Sequence, residues 1–390
     1  MPLLNRPAGL CRGAARLAGR DPSHPLACRA RRPTILIGGL AVAVLLVGTA
    51  IRFGPAVAFT IELAATAPGT TAAPGKPAAE HVVIPTAHGP LLADLYGPAE
   101  ARRTIVLVHG LSRFGRRHPE LVRLAELLAR RDHMVVVPEL HGLQAFRWNG
   151  REVDEVRAAI RYGRARGAVT VAGFSFGAGP VLLAAAEEQG LRQVASFGGY
   201  ADLREVIAYI TTGVHTFGGR RYVGRQEEYN RWKLLSLLAG FLPEADERAR
   251  VAALAEAKLA DPARDAAELE RGLGADARGM LALVINRRED AVPLLLAALP
   301  AAARAALDDL SPLRAMPRLT APLLVAHGAA DPSIPFTESL RLAAAASAGA
   351  RVTIFESFHH TGPRTLWPAI SDSVGDGWRL FRLVDALLTP

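Results

Sequence analysis

Residues 170–179 read Thr170-Val171-Ala172-Gly173-Phe174-Ser175-Phe176-Gly177-Ala178-Gly179, with an apolar run before them and the Ala/Leu-rich run Val181–Glu188 after. A serine hydroxyl is a poor nucleophile unless it stands exposed beside a base and near donors for an oxyanion. A tight strand-to-helix turn presents it that way, and such a turn needs small residues two before and two after the serine. Gly173 and Gly177 meet that need. The flanking strand and helix are what separate this stretch from a serine caught between two loop glycines.

Outward from Ser175, short β-rich runs alternate with helical ones, so the spacing predicts a mostly parallel sheet with crossover helices. His81–Ile84 and Leu91–Tyr96 read as an opening hairpin. Thr104–Val108, Met134–Val137, Ala168–Ala172, Gln193–Phe197, Pro322–Ala326 and Arg351–Phe355 read as strands. Leu121–Arg131, Glu152–Arg166, Thr337–Ala346 and Gly377–Leu388 read as helices, the second with Val153, Val156, Ala159 and Ile160 on one face. From Leu203 to Leu319 the alternation stops. That segment is helix-rich and reads as an insertion placed to cover the site as a lid.

Three strand ends carry chemistry-bearing residues. Thr104–Val108 runs into His109-Gly110-Leu111, a sharp exit where a backbone amide can join the one after the nucleophile in an oxyanion hole. A second strand ends in Ala329-Ala330-Asp331-Pro332, and a carboxylate there can orient a histidine and stabilise its imidazolium. The last strand leads to Glu356-Ser357-Phe358-His359-His360-Thr361-Gly362-Pro363, where either histidine can serve as general base. Asp202, after Gln193–Phe197, is an alternative acid, and Asp372 and Asp376 read as solvated loop residues. Adjacent histidines diverge in an extended loop and no spaced ligand set joins them, so neither a metal nor any other cofactor is expected.

The order Ser175, Asp331, His359/His360 resembles that of the α/β-hydrolase superfamily, and residues 81–388 look most like bacterial esterases of the dienelactone-hydrolase-like or lipase-like kind. The resemblance rests on Leu107-Val108-His109-Gly110, Gly173-Phe174-Ser175-Phe176-Gly177, Gly328-Ala329-Ala330-Asp331 and the terminal histidine. It implies an α/β-hydrolase fold and a catalytic triad of Ser175, Asp331 and His360, with His359 as the alternate base. His360 fits the family pattern better, standing four residues after Glu356 and before Thr361-Gly362-Pro363. Leu111 and Phe176 are implied as oxyanion amides, with His109, Gly110, Gly173 and Gly177 as structural turn residues. Dienelactone hydrolases proper use cysteine, so that activity is not implied. The expected substrate is a small-molecule ester or related acyl compound. A non-catalytic binding protein of the same fold and an acyltransferase using the same triad are the rival readings.

The 390 residues, half of them hydrophobic, can bury a large core. Net charge is +9, but residues 1–33 hold seven arginines against Asp21, leaving only +3 for the rest. The basicity belongs to the tail, which argues against a nucleic-acid partner. Cys11 and Cys28 both lie in that tail, and only Lys76, Lys233 and Lys258 are lysines. Residues 34–51 form an uncharged apolar run, about 27 Å long as a helix and close to a bilayer's hydrocarbon thickness. Arg29, Arg31 and Arg32 stand just before it, and positive flanks stay cytoplasmic. The expected organisation is a basic cytoplasmic tail (1–33), a transmembrane signal-anchor helix (34–51), a juxtamembrane segment and linker (52–80), and an extracytoplasmic hydrolase domain (81–388) with the insertion at 203–319. Signal cleavage and secretion is the alternative.

Overall fold

The computed structural model describes residues 32–65, 79–148, 150–358 and 374–389. The chain divides into two compact units, Met1–Arg52 and Phe53–Pro390. Among the described residues the first unit is helical, the beginning of α1 (Arg32–Ala65), and exposes Val44, Leu45, Leu46, Val47 and Ile51. The stretch Val44–Leu63 is long and apolar enough to cross a membrane by length and composition.

The second unit is built on an eight-stranded sheet. Its strands are β1 (Glu80–Thr86), β2 (Gly89–Tyr96), β3 (Arg103–Val108), β4 (His133–Pro138), β5 (Ala168–Phe174), β6 (Gln193–Phe197), β9 (Leu323–Gly328) and β10 (Ala350–Phe355), in the order β1-β2-β4-β3-β5-β6-β9-β10. Only the β1–β2 and β2–β4 pairings are antiparallel. The parallel strands are near-continuous apolar runs because helices cover both faces. Alternation then sorts their side chains. Val106, Val108, Val136 and Val171 face α4 (Arg151–Arg164) and α5 (Ala178–Glu187). Ile105, Leu107, Val135 and Val137 face α2 (Pro119–Ala129) and the C-terminal helix, α14 (Val374–Leu388). A short helix α3 (His141–Gln144) precedes α4, and α13 (Phe336–Ala345) joins β9 to β10.

Two findings depart from the sequence expectation. The expected helix ends at residue 51, yet α1 runs on through Gly54-Pro55 to Ala65, losing at Pro55 the hydrogen bond that a residue with an N–H would make to the Ile51 carbonyl. Beyond Pro55, Ala56 and Phe59 are buried in the same core face as α2 and α14. Arg131 lies over the Phe59 ring at 4.8 Å and pairs with Glu62, while Arg123 donates to the Leu63 carbonyl. Tertiary packing thus offsets the local cost of the proline. Second, Asp376 is fully buried in the first turn of α14, not solvated, because it accepts from the Ser357 amide and hydroxyl and pairs with Arg379. Asp372 lies outside the described residues.

Between β6 and β9 run α6 (Leu203–Thr212), the hairpin β7 (Val214–Phe217) and β8 (Arg220–Val223), α7 (Glu228–Ala239), α8 (Ala245–Ala260), α9 (Ala267–Arg271), α10 (Ala275–Ile285), α11 (Val292–Ala297) and α12 (Ala301–Asp309). Their apolar side chains form one cluster with Trp148, Phe176 and Tyr200, so the insertion packs directly on the residue after Ser175.

Candidate active site

Ser175 is half-buried at the C-terminal end of β5 with φ +51°. Left-handed backbone costs a non-glycine residue roughly 1–3 kcal/mol and persists only where its surroundings enforce it. Here glycines let the main chain close around the turn. A Cβ on Gly173 would come 2.5 Å from Ala178 Cα, and one on Gly177 would run into the His109 carbonyl. A Cβ on Gly110 would stand 2.8 Å from Ser175 Cβ and 3.4 Å from its Oγ. The β3 exit and the β5–α5 turn therefore touch backbone to backbone.

His109 fixes that contact. Its Nδ1–H donates to the Gly110 carbonyl at 2.8 Å, and its Nε2 accepts the Leu140 amide at 3.0 Å. Burial pushes its pKa down, so the ring is held neutral. Because a trans peptide points its C=O and N–H in opposite directions, anchoring the Gly110 carbonyl turns the Leu111 amide away from His109. Among the described residues, neither that amide nor that of Phe176 donates in a turn, loop or cap hydrogen bond. Phe176 is buried, with Trp148 edge-on at 6.0 Å and Tyr200 at 5.6 Å.

Asp331 lies three residues past β9 and is 2% exposed. Its Oδ1 accepts the amides of Ser333 at 2.8 Å and Ile334 at 3.0 Å, and its Oδ2 is 3.3 Å from His327 Nε2. His327 Nε2–H in turn donates to the Ile334 carbonyl, and Tyr209 donates to the Asp331 carbonyl at 2.7 Å. Two amides thus hold Oδ1, while Tyr209 and His327 fix the main chain of the loop that carries it. Tyr209 and His327 were not singled out by the sequence. Tyr209 belongs to the insertion, where no strand-end pattern marks it.

Phe355 pairs with Gly328, three residues before Asp331, and Phe358 stacks on Phe355 at 4.3 Å. The chain therefore leaves β10 beside the Asp331 loop, tied down by Ser357 on Asp376. His359 and His360 lie outside the described residues. Asp202 caps α6 by accepting the Arg204 amide at 2.8 Å, so its carboxylate serves that helix. Buried Glu338, its pKa pushed up to about 7 by desolvation, accepts the Ala201 and Asp202 amides and fixes this loop. Among the described residues no group of three metal-ligating side chains occurs. An open groove of about 680 Å³ between the β7–β8 hairpin and α13 is lined by neither Ser175 nor Asp331.

A family model described as "Alpha/beta hydrolase family" matches residues 105–368, from β3 through the Asp331 loop and past β10. The chain belongs to the alpha/beta hydrolase family. The match takes in Ser175, Asp331 and both terminal histidines. Similar solved structures include an acylaminoacyl peptidase from Pyrococcus horikoshii (14% identity, 81% of this chain and 41% of that one, TM-score 0.45). Est1E from Butyrivibrio proteoclasticus is similar at 13% identity, over 79% of this chain and 99% of that one, with a TM-score of 0.42. A puromycin-hydrolyzing peptidase from Mycobacterium tuberculosis is similar at 16%, over 82% and 41%, with a TM-score of 0.46. The chain spans about two fifths of the length of either peptidase. No curated protein sequence matches it.

Proposed function

We propose that the protein is a serine hydrolase that cleaves a carboxylic ester or related acyl bond through an acyl-enzyme. The observation that carries this reading is Ser175 in left-handed backbone on a strand-to-helix turn packed against Gly110. In the proposed cycle His360, or His359 in its place, takes the Ser175 proton as Oγ attacks the acyl carbon. The Leu111 and Phe176 amides hold the oxyanion, and the histidine returns the proton to the leaving alcohol. Water activated by the same histidine then releases the acid, while Asp331 orients the ring and stabilises its charge. The helical segment after β6 acts as the lid. The apolar N-terminal helix anchors the protein in a membrane, with its arginine-flanked end inside and the hydrolase unit outside.

Fluorophosphonate labelling of the full-length protein tests the chemistry. Labelling that disappears in Ser175→Ala supports it; folded protein that never labels rules the hydrolase out. Separate His359→Ala and His360→Ala variants identify the base, because whichever retains turnover is not it.

A further inference from the structure

Helix α7 crosses the insertion with one stripe pinned at both ends. Asn230 Nδ2 donates to the Pro332 carbonyl at 3.1 Å, next to Asp331, and Ser236 Oγ donates to the Phe146 carbonyl at 3.2 Å. Lys233 stands midway, three residues from each, and positions three apart share a helix face. Its half-buried side chain is therefore held between the Asp331 loop and Phe146.

The surroundings of this ammonium are unusual. Its Nζ is 4.4 Å from the Tyr229 ring centroid and 5.9 Å from that of Phe146. Among the described residues it makes no ion pair and no hydrogen bond to a protein acceptor. Ring faces stabilise a cation but do not accept three N–H bonds. Phe146 itself has φ +54° and is buried, so a strained residue fixes the ring. On the same ring Arg113, from the segment that follows Gly110 and Leu111, stacks at 5.1 Å. Two cations from different elements thus meet one aromatic ring beside the β3 exit. Arg113 has a partner, an exposed contact with Glu256 at 3.4 Å. The acids whose charge acts on Lys233 are Glu227, exposed on the surface, and Asp331, whose Oδ1 is already occupied by two amides.

We propose that Lys233, seconded by Arg113, is an anion-binding subsite that selects substrates carrying a carboxylate near the scissile acyl bond. The subsite deepens the serine-hydrolase reading and rests on it for what is cleaved. A half-buried ammonium with unused donors gains most from a ligand that supplies oxygen acceptors, since charge-assisted bonds are the strong ones.

The test compares matched neutral and carboxylate esters with the full-length protein. One pair is 4-nitrophenyl hexanoate and the 4-nitrophenyl half-ester of adipate. The other is phenyl acetate and 4-carboxyphenyl acetate, which places the charge on the leaving group. The expected result is about tenfold or more higher kcat/KM for the carboxylate member of one pair. Lys233→Met should abolish that preference while leaving the neutral esters within about twofold. Turnover without discrimination in either pair, or an equal loss on both members in Lys233→Met, overturns the subsite alone. A second readout needs no turnover. The chain has three lysines, so acetic anhydride labelling read by mass spectrometry reports Lys233 with Lys76 and Lys258 as internal references. Adipate or 4-hydroxybenzoate should slow acetylation of Lys233 selectively; unchanged labelling overturns the proposal. Protection with no turnover of any ester sinks the catalytic reading and leaves the anion site standing.

Discussion

The turn carrying Ser175 is held by main chain against main chain, whereas the helix carrying Lys233 is held by side chains. Around Ser175, Gly110, Gly173 and Gly177 each lie where a single added carbon meets backbone or the serine itself. Around α7, the Asn230 amide and the Ser236 hydroxyl reach neighbouring carbonyls, and Leu234, Leu235 and Leu238 fill the insertion's core. The contrast teaches where each property of such a site resides. Backbone contact holds Ser175 where even one added carbon collides, and so tolerates almost no change at the three glycines. Side-chain contact fixes the rim more loosely and allows substrate preference to change without disturbing the chemistry.

That contrast can be broken at four points. Ser175→Ala is expected to lower ester turnover by about 10⁴-fold or more while leaving the fold intact, measured as kcat beside thermal unfolding. Gly110→Ala comes next: its Cβ must displace Ser175 or the Phe174 carbonyl, 2.9 Å away. A fall of about 100-fold in kcat and about 1–3 kcal/mol of stability is expected; an unaffected enzyme would show that the elbow yields.

The third concerns pH. Burial pulls the Lys233 pKa down to about 8, against Glu227 and Asp331, which raise it. Arg113, which stacks on the same Phe146 ring, is the other cation of the cluster. The ammonium is charged below that pH and neutral above it. The ratio of carboxylate to neutral ester turnover should fall about tenfold as pH rises from 7 to 9.5. In the proposed cycle both substrates use the same triad, so its titration cancels from the ratio. The smallest effect is expected for Ser236→Ala, which frees one hydrogen bond of the α7 stripe: about 1 kcal/mol of stability and a two- to fivefold weaker preference for the carboxylate ester, with neutral turnover unchanged.

The same contrast explains what the sequence discloses. Gly173 and Gly177 are legible because their spacing has a backbone cause, and β3, β5 and β9 are legible because burial on both faces makes them unbroken apolar runs. The ends of those strands then point to Gly110 and Asp331. The insertion is another matter. Its helical character is readable, but the β7–β8 hairpin escapes notice, although Gly218-Gly219, both with positive φ, form the two-residue turn such hairpins favour. In the sequence Lys233 stands out only as one of three lysines. Its half-burial comes from Phe146 and Tyr229, and Phe146 lies 87 residues away in the chain. Asp376 reads as a loop acid for a similar reason, since the Glu356 and Ser357 amides that surround it arrive from another element.

Helix α1 changes where the chain can be cut. The Ala- and Pro-rich stretch after it looks like the natural seam, yet Ala56 and Phe59 belong to the core that α2 and α14 complete. A fragment trimmed to β1 would leave an oily scar, with Arg131 deprived of the Phe59 ring and Glu62, and Phe381 deprived of Phe53. The seam lies at Arg52–Phe53, so a water-soluble version of this protein has to carry along a piece of what reads as its anchor.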